Sequence, residues 1–151
     1  MTSPGPIRRE IRVPSDVSRA FELFTDHIGK WWPLNEFSVY KGSVAFEGME
    51  VIERLGDQAS VWAEVTEWNP PHSLALAWHP GQGVEVATDV RVTFEADGEQ
   101  TLVSLVHDGW ERMPDPAAAA EEYGNGWLGV LGQFSALVES EAKAESEAKA
   151  E

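Results

Sequence analysis

The chain contains no cysteine, which excludes disulfides, thiolate metal sites and thiol nucleophiles together. Basic residues are scarce: 11 lysines and arginines stand against 26 aspartates and glutamates, for a formal charge of −15. Nucleic acid needs a basic footprint on the protein, and an anionic membrane surface needs a basic face. Neither is an expected partner, and such acidity serves solubility first. No run of about eighteen apolar residues occurs, so no membrane-spanning helix is expected. The first residues, MTSPGPIRRE, lack the apolar centre of a secretory signal. With the missing cysteine, this fits a cytoplasmic protein. His27, His72, His79 and His107 show no zinc-type spacing. No serine sits in a nucleophile elbow, and no glycine-rich stretch precedes a helix as a phosphate loop would. Neither a metal nor a cofactor is expected.

What is present is a core. A chain of 151 residues with 42% hydrophobic content is most simply one domain. Seven tryptophans each bring a large apolar body that wants burial and one N–H that wants a partner. The organising stretch is TLVSLVHDGW, Thr101 to Trp110. There Val103, Leu105 and His107 share one face and Leu102, Ser104 and Val106 the other, the period of a strand. Asp115 and Pro116 then form a helix start, an N-cap acceptor before a proline. Tyr123, Trp127, Val130, Leu131, Phe134, Leu137 and Val138 follow at helical spacing and give one apolar face. Gly124, Gly126, Gly129 and Gly132 are odd within it, each costing up to about 1 kcal/mol relative to alanine. Either the helix begins only near Trp127, or the glycines let it approach a sheet closely.

Earlier in the chain, residues 1–6 read as a flexible leader. Ile7 to Val13 alternates, with Arg9 breaking the apolar face of Ile7, Ile11 and Val13, which places this strand near an edge or an end. Ser15 is a candidate cap for a short helix whose stripe is Val17, Ala20, Phe21 and Phe24. TDHIGKWWP reads as a second short helix or turn ending at Pro33. Strands follow from about Val39: Ser43 to Phe46, Met49 to Leu55, a turn at Gly56–Asp57, Ala59 to Trp68, a break at Asn69 to Pro71, and a strand with Leu74, Leu76 and Trp78 on its core face. After the loop HPGQGVE, Val90, Val92 and Phe94 alternate with polar residues, and Asp97–Gly98 signals a hairpin. In Ser60 to Trp68 either face could be the inner one: Val61, Ala63 and Val65, or Trp62, Glu64, Thr66 and Trp68. Strict alternation puts Glu64 and Glu67 on opposite faces. Asp89 and Arg91 share a face and can bridge each other or a neighbouring strand. Residues 140–151, SEAKAE twice over, form a charged tail that continues the last helix in solvent.

The order is strand, two short helices, six strands and a long helix, an α+β layout with an antiparallel sheet of about seven strands. A sheet of that width curls as it twists, and a helix filling its concave side only partly leaves a cavity. Four stretches, VPSDVSRAFELFTD, IGKWWP, EVTEWNPPHSLALAWHP and TLVSLVHDGW with the later GNGWLGVLGQF, together resemble the activator of heat-shock protein 90 ATPase homologues. That family lies within the START-related superfamily called SRPBCC. The resemblance spans about Ile7 to Val138, within a single domain over 7–139. It implies a helix-grip fold, a curved antiparallel sheet around a long C-terminal helix with an inner cavity. Members of that superfamily bind lipids, sterols, polyketides and plant hormones, or cyclise and hydroxylate aromatic compounds. The activator proper carries a second domain that contacts the chaperone, and this chain has no room for it.

Candidate ligand-binding residues are Trp31, Trp32, Trp78, Val90, Val92, His107, Trp127, Leu131 and Phe134. Trp31 and Trp32 are adjacent bulky rings that cannot both face one core from a short helix, so one is expected to plug the core and the other to form a lid. Trp78, Trp127 and Phe134 are the cavity-lining rings, with Val90, Val92 and Leu131 beside them, and that much ring area suits an apolar or aromatic ligand. His107 is the one weak catalytic candidate. A neutral-range pKa would let it move a proton or orient a carbonyl, and a structural hydrogen bond is the competing role. The leading expectation is a carrier or sensor of a small hydrophobic molecule. A cyclase- or hydrolase-like enzyme and a co-chaperone-like interaction module are the alternatives. A homodimer and a chaperone partner stay open.

Overall fold

The computed structural model describes residues 5–32, 42–79 and 86–150, the last five by backbone alone. Most of the leader, the stop at Pro33, the first strand residues from Val39 and most of the HPGQGVE loop lie outside the described residues. Seven strands form one antiparallel sheet: β1 (Ile7–Val13), β2 (Ser43–Glu47), β3 (Glu50–Leu55), β4 (Gln58–Asn69), β5 (Ser73–Trp78), β6 (Thr88–Asp97) and β7 (Gln100–Asp108). Their order is β1-β7-β6-β5-β4-β3-β2. Strands β2 to β7 are a meander, and β1 alone is out of sequence, at the edge beside β7. Helices α1 (Val17–Thr25) and α2 (Ile28–Trp31) follow β1, and a single 3-10 turn (Trp110–Arg112) leads from β7 to α3 (Pro116–Ala150). This is the α+β helix-grip arrangement. Among the described residues no helix is long and apolar enough to cross a membrane.

The helix starts follow from local chemistry. The α1 N-cap is Asp16, whose carboxylate accepts the Arg19 N–H at 2.8 Å; Ser15, the expected cap, instead turns its hydroxyl to the Asp16 carbonyl. A carboxylate at this position meets both the free N–H groups and the helix dipole, which favours Asp16. At α3 the expected start holds: Asp115 Oδ1 accepts from Ala118 N–H at 3.3 Å, and Pro116 is the first helical residue.

Because α3 begins there, its glycines lie inside a formed helix rather than before it. A Cβ at Gly124 would stand 3.3 Å from Arg9 Nη2 and 3.5 Å from Ile7 Cδ1, so this glycine admits β1 against the helix. Gly129 and Gly132 face open space and have no such reason. Arg9, the residue that breaks the apolar face of β1, sends Nη2 to the Gly124 carbonyl at 3.0 Å. An arginine pointing inward is thereby accommodated at the sheet edge. The tail is also less isolated than its composition suggests. Glu141 and Glu145 reach Arg19 of α1 at 3.4 and 3.6 Å.

Two bulges explain why β4 resists a period-two reading. Val51 pairs with Ala63, yet Ile52 pairs with Val61, leaving Trp62 as an extra residue. Trp62 and Ala63 are therefore both fully buried. A second bulge at Thr66 puts Glu67 opposite Ala75 and Trp68 opposite Leu74. It also returns Glu67 to the face of Glu64, since their partners Ala75 and Ala77 lie two residues apart on β5; the expected opposition of the two carboxylates fails for this reason. They serve different neighbours, His79 and Glu64 at 2.7 Å, Glu67 with Ser73 and Arg91. Asp89 and Arg91 do not bridge each other: Asp89 pairs with Arg112 at 3.0 Å and Arg91 with Glu67 at 3.2 Å.

Candidate functional site

The concave face of the sheet carries Val51, Ala63, Leu76, Trp78, Val90, Val92, Leu105 and His107, all buried. Facing them, α3 supplies Trp127, Val130, Leu131, Phe134 and Val138. Aromatic rings fill the space between. Trp31 packs on Phe24 at 5.0 Å and Phe134 at 5.1 Å. Trp32 meets Trp62 at 5.3 Å, Trp78 at 5.6 Å and Trp127 at 6.0 Å. Contacts of this tilted kind contribute about 0.5–1.5 kcal/mol each beyond the area they bury.

Both Trp31 and Trp32 are buried, at 3% and 8% exposure, so neither is the exposed lid. The expectation assumed a continuous helix. In fact α2 ends at Trp31, and Trp32 turns into extended backbone, φ −64° and ψ 127°. That change of direction lets two adjacent rings enter the same core. Six of the candidates, Trp31, Trp32, Trp78, Val90, Val92 and Trp127, line one internal space together with Phe24, Ile28, Phe46, Val51 and Leu76. Its free volume is about 10 Å³, the room of a single water. The predicted opening at this place is closed by indole rings. Phe134 reaches the group through Trp31, and Leu131 is buried in the core without lining the space.

His107 stands at the end of this cluster and is fully buried. The Trp127 Nε1–H donates to its Nδ1 at 2.9 Å. An indole nitrogen only donates, so Nδ1 carries no proton and Nε2 does. Nε2–H then donates to Thr88 Oγ1 at 2.6 Å, and the Thr88 hydroxyl donates to the Trp78 carbonyl at 3.3 Å. One line of hydrogen bonds thus joins α3, β7, β6 and β5. Burial pushes the His107 pKa down to about 3. At neutral pH the ring is uncharged with both nitrogens engaged, the arrangement of a structural staple. Trp110 packs against it at a tilt with centroids 4.3 Å apart, and Tyr123 lies edge-on at 4.7 Å. Burial raises the Tyr123 pKa, with the Trp78 indole N–H as a smaller opposing influence.

Not every indole is satisfied. Trp31 Nε1–H reaches the Leu23 carbonyl at 3.0 Å, but the buried Nε1 atoms of Trp62 and Trp110 have no hydrogen-bond partner among the described residues, and Trp78 Nε1 has only the neighbouring Tyr123 hydroxyl. Trp62, Thr88 and Trp110 are absent from the sequence-derived candidates. Trp62 was hidden by the bulge, and nothing in the sequence around Thr88 marks it. Trp110 did carry a signal, the preceding glycine: Gly109 is left-handed at φ 89°, and a Cβ there would stand 2.6 Å from Arg112 Nη1. Elsewhere, Glu53 is fully buried and accepts the Gly42 N–H at 2.8 Å. Among the described residues no three His, Cys, Asp or Glu side chains gather as metal ligands would.

With that geometry in view, a family model described as activator of Hsp90 ATPase homolog 1-like protein matches residues 15–139. The chain belongs to that family. This activator-homologue domain is also similar to solved structures of the same helix-grip type. DynU16, a putative protein in the dynemicin biosynthetic locus, superposes with a TM-score of 0.65 at 19% identity over 90% of this chain. The match spans 48% of DynU16, about half its length. The Aha1 dimer from Colwellia psychrerythraea gives a TM-score of 0.63 at 17% identity, covering 87% of this chain and 94% of that one. Txn09, an anthrahydroquino-γ-pyrone synthase complexed with SUM, gives 0.60 at 25% identity, covering 89% and 98%. Comparison with curated proteins finds no match. These likenesses establish the fold of the activator-homologue domain.

Proposed function

We propose that this protein binds a small hydrophobic or aromatic molecule between its sheet and α3, acting as a carrier or sensor. The observation that carries this reading is the makeup of the interior: the space lined by Trp31, Trp32, Trp78 and Trp127 is walled by flat rings and aliphatic side chains drawn from both helical and sheet layers. Walls of aromatic and aliphatic side chains are the usual lining of sites for small apolar ligands. Txn09, named as an anthrahydroquino-γ-pyrone synthase, supports an aromatic ligand for a domain of this shape. His107, neutral and bonded at both nitrogens, favours binding over proton transfer.

Native mass spectrometry of gently purified protein, compared with the denatured chain, tests this. An adduct of a few hundred daltons that is lost on denaturation supports an interior ligand and supplies it for identification. A bare chain mass that is unchanged by titration with apolar aromatic compounds overturns the reading. The same spectrum reads the oligomeric state, for which a homodimer is the proposal suggested by the Aha1 dimer.

A further inference from the structure

We infer that the open groove between α1 and the end of β4 is a binding site of its own, for a small organic ammonium compound with an apolar body. The groove has a volume of about 390 Å³, within the ordinary range of small-molecule sites, roughly 300–1,000 Å³. It shares no lining residue with the interior space and stands apart from the reading above. Its apolar wall is Trp68 with Phe21, Pro70 and Pro71. The bulge at Thr66 turns Trp68 to the side of the buried Leu74, yet Trp68 stays 42% exposed. Phe21 and Phe46 support its ring, with centroids 5.2 and 6.2 Å away. Bulges that re-aim a side chain are frequent beside functional sites.

The other wall sets the charge of the occupant. Glu22 and Asp26 both line the groove, and like charges four residues apart on a helix repel. Glu22 lies in the last turn of α1 and Asp26 is its C-cap, the end at which the helix dipole favours a cation. No basic residue occupies that turn. Arg19 pairs with Glu22 at 2.9 Å, and His27 Nε2 lies 3.5 Å from it. Among the described residues the Asp26 carboxylate has no ion pair. An ammonium group in the groove would offset this local excess of negative charge and reach a ring for a cation–π contact. An anion would meet two carboxylates, and a neutral compound would leave Asp26 unpaired. The chain's charge of −15 also draws cations to its surface. Eight residues line the groove, against about 20–30 a side for a stable protein interface, which makes the occupant a small molecule.

2-Phenylethylamine, protonated at neutral pH, and 2-phenylethanol share a skeleton and differ in one charged group, which makes them suitable probes. Each is titrated into the full chain while the Trp68 indole N–H resonance is followed by nitrogen-15 NMR. The amine should bind about tenfold more tightly than the alcohol, the combined contribution of an exposed ion pair and a cation–π contact. That preference should shrink at high salt and fall to about threefold or less in Asp26→Asn. Trp68→Ala, followed through the backbone amides of α1, should weaken both probes. Equal affinities for the two probes on the wild-type chain would overturn the inference, as would a full preference surviving in Asp26→Asn. A Trp68 resonance that moves with neither probe would overturn it as well. None of these results bears on the interior ligand, which the native mass spectrum tests separately. The probe pair on the unaltered chain decides the matter even where a variant folds poorly.

Discussion

Trp127 Nε1 lies 2.9 Å from His107 Nδ1, and this contact between the long helix and the last strand decides which nitrogen of the ring holds the proton. Removing the donor should therefore cost more than its packing. Trp127→Phe keeps most of the ring but leaves a buried acceptor unpaired, with an expected loss of about 1–3 kcal/mol in denaturant unfolding. Thr88→Val, which strands the Nε2–H at the other end, should cost a similar amount. A loss under about 0.5 kcal/mol in both would show that the line of bonds is not held in solution.

The buried imidazole also predicts an acid sensitivity. Its pKa is lowered to about 3 in the fold by burial, against about 6.5 in an unfolded chain. Between those values the unfolded state takes up a proton that the folded state refuses. The stabilisation from His107 is therefore complete above about pH 6.5 and declines as pH falls toward 3, by up to roughly 1.4 kcal/mol per pH unit. Unfolding free energies at pH 6.5 and 5.0 should thus differ by about 1.6 kcal/mol more for the wild type than for His107→Gln. Parallel pH profiles for the two proteins would contradict this.

The two candidate caps of α1 separate cleanly. Asp16→Ala should lower stability by about 1 kcal/mol, while Ser15→Ala should change it by less than about 0.5 kcal/mol. Thermal melts of the pair suffice, and the reverse ranking would return the cap to Ser15.

The α3 glycines divide in the same way. Gly129→Ala and Gly132→Ala meet open space and should each stabilise by about 0.5–1 kcal/mol through helix propensity. Gly124→Ala presses on Arg9 and Ile7 and should gain less or lose. A gain at Gly124 equal to the other two would mean that β1 sits farther from the helix.

The helix-grip architecture was legible because most of its elements obey simple periods. The alternation in Ile7 to Val13 and Thr101 to Asp108, and the helical spacing from Tyr123 to Val138, survive in β1, β7 and α3. What could not be read depends on single extra residues or on contacts between distant ones. The bulge at Trp62 cancels alternation at the point where the inner face had to be chosen. The break after Trp31 reverses the argument that two adjacent rings must diverge. Arg9 looked like a fault in a strand until its partner, a carbonyl 115 positions later, was in place. The eight candidate residues chosen for apolarity are buried, as is His107, yet the amount of free space between them is set by rotamers, which no sequence pattern encodes.

The place of β1 in the sheet has a consequence for synthesis on the ribosome. Among the described residues its only strand partner is β7, with Ile7 opposite His107 and Val13 opposite Thr101. Strands β2 to β6 can pair as they emerge, each with the one before it, while β1 waits for its neighbour to be made. At ordinary elongation rates that delay is roughly 5–20 seconds, during which an unpaired strand is exposed to other chains. The alternating Arg8, Glu10 and Arg12, with Arg9 on the opposite face, put charge on both sides of that strand. Such charge discourages pairing between strangers. A residue that looks like an imperfection in the finished core would thus protect the chain before the core exists.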